Sequence, residues 1–238
     1  EQLEKKQIKI MTNSTVVEIL EGGVRVKGPG QIREVDCGTV LVAIGRKPNL
    51  DELHLENTDI KFNKKGIEVN SQMQTNVAGI YAIGDVVPTP QLAHVASKEG
   101  IVAVSNIAGQ RCNMKYNGIP SCVFTIPEVA SVGMTEEEVK KAGIEYRVGK
   151  FPLANNGKAM VEGSTEGLVK LIISAEDELV LGVHIMAPQA AEMIHQASLT
   201  ISVEATVEEM ISAIYPHPTV SEAVCEAAMA VKGQAIHF

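Results

Sequence analysis

The sequence predicts an α/β to α+β fold, with an antiparallel sheet in its second half. Three observations carry this expectation. Paired glycines and a Gly-Pro-Gly break the first 45 residues into short β-rich runs. Apolar residues then recur at helical spacing between Leu92 and Ile107. Past residue 116, a group of strand-like runs is followed by a group of helix-like runs, the order of an α+β domain.

The elements follow in chain order. "EQLEKKQIKI" resembles the end of a helix running into a strand. "STVVEILEGGVRVKGPGQIREVDCGTVLVAIG" predicts a β-meander that turns at Gly22-Gly23 and Gly28-Pro29-Gly30 and ends in a buried strand over 39–44. The Gly-Pro-Gly is not a phosphate loop, because no strand-loop-helix unit surrounds it and Pro29 donates no N–H. A polar connection follows, then two strands in "IEVNSQMQTNVAGIYAIGDVV", the second over 79–83 and halting at Gly84-Asp85. Leu92, Val95, Ala96, Gly100, Ala103 and Ile107 outline a helix that Gly109 stops. "SCVFTIPEVASVGMT" predicts two strands. In the short helix after it, Thr135 and Glu138 form a capping box and Gly143 is the C-cap. Strands are expected over 145–151, 168–174 and 179–186. A long helix opens at Pro188, a short one at Val207 and a last one near Pro218.

Composition narrows the function. A chain of 238 residues, 45% apolar, holds one large domain or two modest ones. A net charge of -8 without a basic block argues against nucleic acid and against an anionic membrane surface; its simplest meaning is solubility. No apolar run reaches the roughly 20 residues of a membrane helix, and the charged start is not that of a signal peptide. Cys37, Cys112, Cys122 and Cys225 form no close pair, so neither a disulfide framework nor a metal site is expected. They read as reduced thiols in packing roles, which points to the cytoplasm or a reducing organelle matrix.

Three places carry groups fit for chemistry. In "GIYAIGDVV" an apolar run ending in Gly84-Asp85 sets a carboxylate at a sheet edge, where α/β sheets hold ligands. Asp85 there either accepts hydrogen bonds from ligand hydroxyls or caps the next turn. "PTPQLAHVASKEG" then offers a helix start, with the N–H groups of Leu92 and Ala93 and the positive helix end facing any developing negative charge. His94, in the first turn, is either part of that site or a histidine at the core edge. In "YPHPTVSEA" two prolines flank His217 and present its ring at the entrance of a helix. Glu222 is placed to fix one imidazole nitrogen and leave the other as acid or base. The competing reading is a capping box between Thr219 and Glu222.

Taken together, "VAIGRKPN", "TNVAGIYAIGDV", "LAHVASKEG", "FTIPEVASVGMTEEE", "HPTVSEA" and "GQAIHF" resemble, in order and over almost the whole chain, the flavin-dependent pyridine nucleotide–disulfide oxidoreductases. "HPTVSEA" with "IPEVASVG" is the most specific part. The likeness is greatest to the family members that oxidise dihydrolipoamide, with glutathione-type reductases next. The resemblance implies the C-terminal part of a nucleotide (NAD)-binding domain over 1–45, an FAD-flanking segment over 46–116 and an α+β dimerisation domain over 117–238. It implies FAD and NAD as cofactors, a homodimer formed through 117–238, and dihydrolipoamide or a lipoyl-bearing protein as substrate. Gly84 and Asp85 would bind the flavin ribityl chain; Gln91, Leu92, Ala93 and His94 would lie by the flavin. His217, paired with Glu222, would be the acid/base serving a thiol pair on the partner subunit.

Departures qualify this. The family's C-x4-C thiol pair and GxGxxG do not occur in these 238 residues, and Tyr215-Pro216 stands where many dihydrolipoamide-oxidising members carry a further histidine. Two functions are therefore expected side by side: a catalytic parent enzyme, and a chain that by itself is a dimerisation module without turnover.

Overall fold

A computed structural model describes residues 2–238 and divides the chain into two compact units, up to Lys47 and from Pro48 onward. Glu1, the first residue of the expected N-terminal helix, lies outside the described residues.

The first unit opens with one helical turn, α1 (Gln2–Lys5), and is otherwise a meander of β1 (Thr15–Leu20), β2 (Gly23–Gly28) and β3 (Gln31–Asp36) in the order β1-β2-β3. The glycines behave as expected. A side chain at Gly23 would sit 2.4 Å from the Val35 carbonyl oxygen, and Gly30 turns at φ +83°. Arg25 on the central strand pairs across the sheet with Glu18 and Glu34, which holds the register of a ribbon that buries little besides Val24 and Val26. Two expectations fail. No strand follows α1 directly, and 39–44 is not a buried strand: Leu41 is 88% and Ile44 94% exposed. An apolar run becomes a buried strand only beside strands that complete its ladder. Among the described residues, the strands of this unit pair only with one another.

The second unit begins with two 3₁₀ turns (Asp51–Leu53, Leu55–Asn57) and a short hairpin, β4 (Phe62–Asn63) with β5 (Gly66–Ile67). The strand expected over 79–83 shrinks to one bridge, Gln74 to Tyr81. Asn70 accounts for this. Its side-chain oxygen accepts the N–H groups of Gln72 and Gln74 and curls the chain into a local turn, so Met73 and Thr75 bond Ala82 and Ile80 at close range and no longer ladder forms. A 3₁₀ turn (Gly84–Val86) leads to α2 (Ala93–Ile107). Val95, Val102 and Ala103 on α2 pack with Met73 and Met114, and Gly109 ends the helix region at φ +82°.

The remaining strands are β6 (Ser121–Val123), β7 (Glu128–Gly133), β8 (Tyr146–Pro152), β9 (Leu168–Ser174) and β10 (Val180–Ala187). They form one antiparallel sheet in the order β6-β7-β10-β9-β8, as the run of strand signals predicts. α3 (Glu136–Lys141) has the expected capping box between Thr135 and Glu138. α4 (Gly157–Val161), which the sequence reading does not include, is capped by Asn156. α5 (Ala190–Ser202), α6 (Val207–Ser212) and α7 (Glu222–Val231) complete the chain. α5 presents Ala190, Met193, Ile194, Ala197 and Ile201 to the core, and α7 presents Ala223, Val224, Ala227 and Ala228. The small residues on α7 let it lie close to β8. A Cβ at Gly149 would fall 2.0 Å from the Ala227 carbonyl oxygen and 2.8 Å from the Val231 nitrogen.

That contact gives the first prediction. Gly149→Val forces α7 off the sheet and lowers stability by about 3 kcal/mol or more, read as a fall in thermal midpoint; a wild-type midpoint would mean that α7 has room to shift.

Candidate functional site

The first cluster is built on the turn before α2. Gly84 adopts φ +70°, a left-handed conformation costly to any other residue, and its N–H donates to Glu99 Oε2 at 2.7 Å. Asp85 follows, half-buried in the 3₁₀ turn. The Gln91 amide reaches back to the Asp85 carbonyl at 3.4 Å. Of the two N–H groups expected at the helix start, Leu92 is already engaged, donating to the Pro90 carbonyl at 2.8 Å. Leu92 is extended and caps α2 without a side-chain bond. His94 is turned to the Pro120 carbonyl, 2.9 Å from Nε2. A carbonyl only accepts, so Nε2 carries the proton and the ring ties α2 to the segment entering the five-stranded sheet.

Glu99 and Tyr116 belong to this cluster, and sequence reasoning missed both. Glu99 is completely buried on α2; its second oxygen accepts the Tyr116 hydroxyl at 2.8 Å. Burial, and then the bond to Glu99 and its charge, push the Tyr116 phenol well above its usual range. The available signal was a charged residue falling on the apolar face of a helical period, in "HVASKEG".

The second cluster sits at the entrance of α7. His217 Nδ1 lies 2.8 Å from Glu222 Oε1, as expected. Glu222 Oε2 accepts the Thr219 N–H at 2.7 Å, while the Thr219 hydroxyl donates to the Pro216 carbonyl. Only half of the expected capping box is therefore made, because the hydroxyl braces the proline turn instead; Ser221 is the N-cap. Asn156 donates to the Thr219 carbonyl at 3.1 Å and anchors the loop to the start of α4, a contact invisible at a separation of 63 residues. The peptide between His217 and Pro218 is cis. The result is a ring 78% exposed whose Nδ1 is spoken for and whose Nε2 has no hydrogen-bond partner among the described residues. Burial pushes the Glu222 carboxyl up, but the Thr219 N–H, the His217 bond and the nearby charges of His217 and His237 outweigh it, so the carboxyl titrates below its ordinary range.

One turn further along α7, Glu226 is buried and binds the C-terminal tail. It accepts the N–H groups of Ile236 and His237, and its other oxygen lies 2.7 Å from His237 Nδ1. The four cysteines are free, and burial pushes the Cys122 and Cys225 thiols up, which keeps both poorly nucleophilic.

This layout matches known proteins. A family profile described as pyridine nucleotide-disulphide oxidoreductase, dimerisation domain, matches residues 119–228, and one described as pyridine nucleotide-disulphide oxidoreductase matches 1–100. The chain belongs to the pyridine nucleotide-disulphide oxidoreductases. It is 43% identical over 243 aligned positions to the mitochondrial dihydrolipoyl dehydrogenase of Pisum sativum, covering 99% of this chain and 48% of that protein. The dihydrolipoyl dehydrogenase of Thermus scotoductus is 44% identical, with 99% and 52% covered. Among solved structures, LpdA of Mycobacterium tuberculosis superposes with a TM-score of 0.85 at 26% identity, covering 95% of this chain and 50% of that one. The chain spans about half the length of the curated relatives it matches. As expected, this family's dimerisation domain is present. No helix among the described residues is long and apolar enough to cross a membrane.

The Glu222 carboxylate sets a pH dependence. Its folded pKa is depressed below 4.5, so the stability it contributes is complete above that value and is lost as pH falls through the lower folded pKa. Glu222→Gln therefore flattens the acid limb of the stability curve below about pH 5, measured by denaturant titration at stepped pH. An acid limb as steep as wild type would remove Glu222 as its source.

Proposed function

We propose that this chain is the C-terminal portion of an FAD- and NAD-dependent dihydrolipoyl dehydrogenase. In this reading 1–45 closes the NAD-binding domain, 46–116 flanks the flavin and 117–238 forms the homodimer. The observation that carries it is the His217–Glu222 pair, braced from three sides and exposed at the entrance of α7, on a domain matched by the family's dimerisation profile.

The residues of the first cluster fit a flavin. Gly84 lets the left-handed turn pack closely on α2, since an added Cβ would come 3.2 Å from that of Ala96. Asp85 next to it is an anionic acceptor suited to a polyhydroxyl chain. Thr89 Oγ1, three residues past that turn, is buried near the Tyr116 phenol without a well-formed hydrogen bond. When bound, the flavin supplies two-electron transfer from a dithiol to NAD. Gln91, Leu92, Ala93 and His94 would line the flavin edge, where the Ala93 N–H and the positive end of α2 would favour negative charge.

The reaction class is oxidation of the two thiols of dihydrolipoamide to the cyclic disulfide, the two electrons being those the flavin would deliver to NAD. His217 Nε2 accepts a thiol proton and the imidazolium that results stabilises the thiolate. Glu222, which holds Nδ1–H, fixes the tautomer that makes Nε2 the basic nitrogen. The redox pair comes from outside these 238 residues, whose four cysteines are scattered and unpaired. By itself the chain is accordingly a dimerisation module. A glutathione-type disulfide reductase is the alternative substrate class, favoured by Tyr215-Pro216 where a second histidine is usual among the dihydrolipoamide-oxidising members.

The test is to join the chain to a relative's half that carries the C-x4-C pair and the GxGxxG. The joined protein should show a flavin absorption band and reduce NAD with dihydrolipoamide, and the chain alone should do neither. A colourless joined protein, or a flavoprotein that reduces only glutathione disulfide, overturns the assignment. In the joined enzyme His217→Gln should slow thiol oxidation by about 10²-fold or more, in rapid-mixing traces of flavin reduction. An unchanged rate would remove His217 from the chemistry. Asp85→Ala should lose flavin on gel filtration; full retention would leave Asp85 as a turn residue alone.

A further inference from the structure

Glu99 is a carboxylate with no exposed surface, set among apolar neighbours on α2: Val95, Val102 and Ala103 are likewise buried. Burying a carboxylate costs several kcal/mol unless strong bonds offset it, and an apolar side chain of the same size would fill this space at lower cost. Stability alone does not explain its presence. What distinguishes Glu99 is what it holds. One oxygen accepts the N–H of Gly84, 15 positions earlier, and the other accepts the Tyr116 hydroxyl, 17 positions later. Gly84 sits at φ +70° at the start of its 3₁₀ turn, so its N–H has no partner within that turn. Glu99 supplies the partner and thereby fixes the one residue before Asp85. Tyr116 braces the carboxylate from the segment that leads into the five-stranded sheet. The turn before α2, α2 itself and the entry to the sheet domain thus meet at one buried anion.

We propose that Glu99 is a positioning residue for the cofactor turn: its carboxylate, oriented by Tyr116, locks the Gly84 N–H and so sets the conformation from which Asp85 meets its ligand. This rests on the flavin reading of that turn. Glu99 touches no ligand itself and acts only through the backbone.

The experiment uses the 238-residue chain and the joined enzyme in parallel. In the chain, amide exchange at Gly84 is followed by NMR, with the helical amide of Val102, one turn further along α2, as internal reference. Glu99→Gln keeps shape and volume but removes the charge and one of the two acceptor sites. Gly84 exchange should rise about tenfold while Val102 stays protected. Absorbance at tyrosinate wavelengths should show the Tyr116 transition, identified by its loss in Tyr116→Phe, moving to lower pH once the anion that opposes it is gone. In the joined enzyme the flavin dissociation constant should rise about tenfold. Wild-type Gly84 exchange in Glu99→Gln overturns the proposal, and so does loss of stability with unchanged flavin affinity, which is the outcome of a purely structural role. Where Glu99→Gln does not fold, Tyr116→Phe carries the test: it frees one side of the carboxylate while keeping the ring, and an unchanged Gly84 rate there overturns the proposal. A wild-type joined enzyme without flavin defeats the proposed function instead, and leaves Gly84 exchange to decide the part played by Glu99.

Discussion

The close approach of α7 to β8 is the constraint on which the second cluster depends. It is possible because Gly149 has no side chain where the Ala227 carbonyl passes, and because the facing residues of α7 are Ala223, Ala227 and Ala228. That packing fixes the axis of α7, and the axis fixes Glu222 in its first turn. From Glu222 the loop is set by short bonds: one oxygen to the Thr219 N–H, the other to His217. A ring 78% exposed would ordinarily sample many rotamers. Here it inherits the rigidity of a sheet domain through two hydrogen bonds and one carboxylate. An acid/base group can stand in solvent and still be held only if its partner is anchored in the core.

The two clusters differ in how they use the backbone. At His217 the backbone is braced to present an exposed side chain. At Gly84 it is the backbone that is held, and the side chains of Glu99 and Tyr116 hold it. Glycine suits the second arrangement because the turn must be left-handed, and because a Cβ there would press on Ala96. His94 is drawn into the same bracing by the Pro120 carbonyl, so a residue that reads as part of a ligand site also fastens α2 to the segment that follows it.

Most of the sheet domain was legible in the sequence because its strands and capped helices carry local signals, α4 excepted. Strands β8, β9 and β10 alternate or run apolar between clear turns, and the capping box of α3 lies within four residues. The pairing of His217 with Glu222 was legible for the same reason, being five residues apart on one helix start. What was not legible is what depends on distant partners. Residues 39–44 have the composition of a central strand, yet Leu41 and Ile44 lie exposed because composition cannot supply a neighbouring ladder. The turn around Asn70 cut short the strand expected over 79–83 through side-chain bonds that no periodicity records. Glu99 met Gly84 and Tyr116, and Asn156 met Thr219, across separations that only the fold closes.

The acidity of the chain takes on a second meaning in this light. A net charge of -8 reads from composition as solubility, and the exposed carboxylates serve it. Several acidic residues, however, spend their charge on backbone N–H groups. Glu99 holds Gly84, Glu128 holds Ala191, Glu138 holds Thr135, Glu209 holds Thr206, Glu222 holds Thr219 and Glu226 holds both Ile236 and His237. A carboxylate accepts from two directions at once, and a bond to an ionised acceptor is roughly twice as strong as one between neutral groups. Glu128 thereby joins β7 to the first turn of α5, and each of the others joins a helix to a turn, cap or tail segment that has no regular ladder of its own. In a chain with only 3% aromatic residues and no tryptophan, large side chains are not available to pin loops by packing. Carboxylates take over that task, and both candidate clusters are held by them: the turn before α2 by Glu99 and the histidine loop by Glu222.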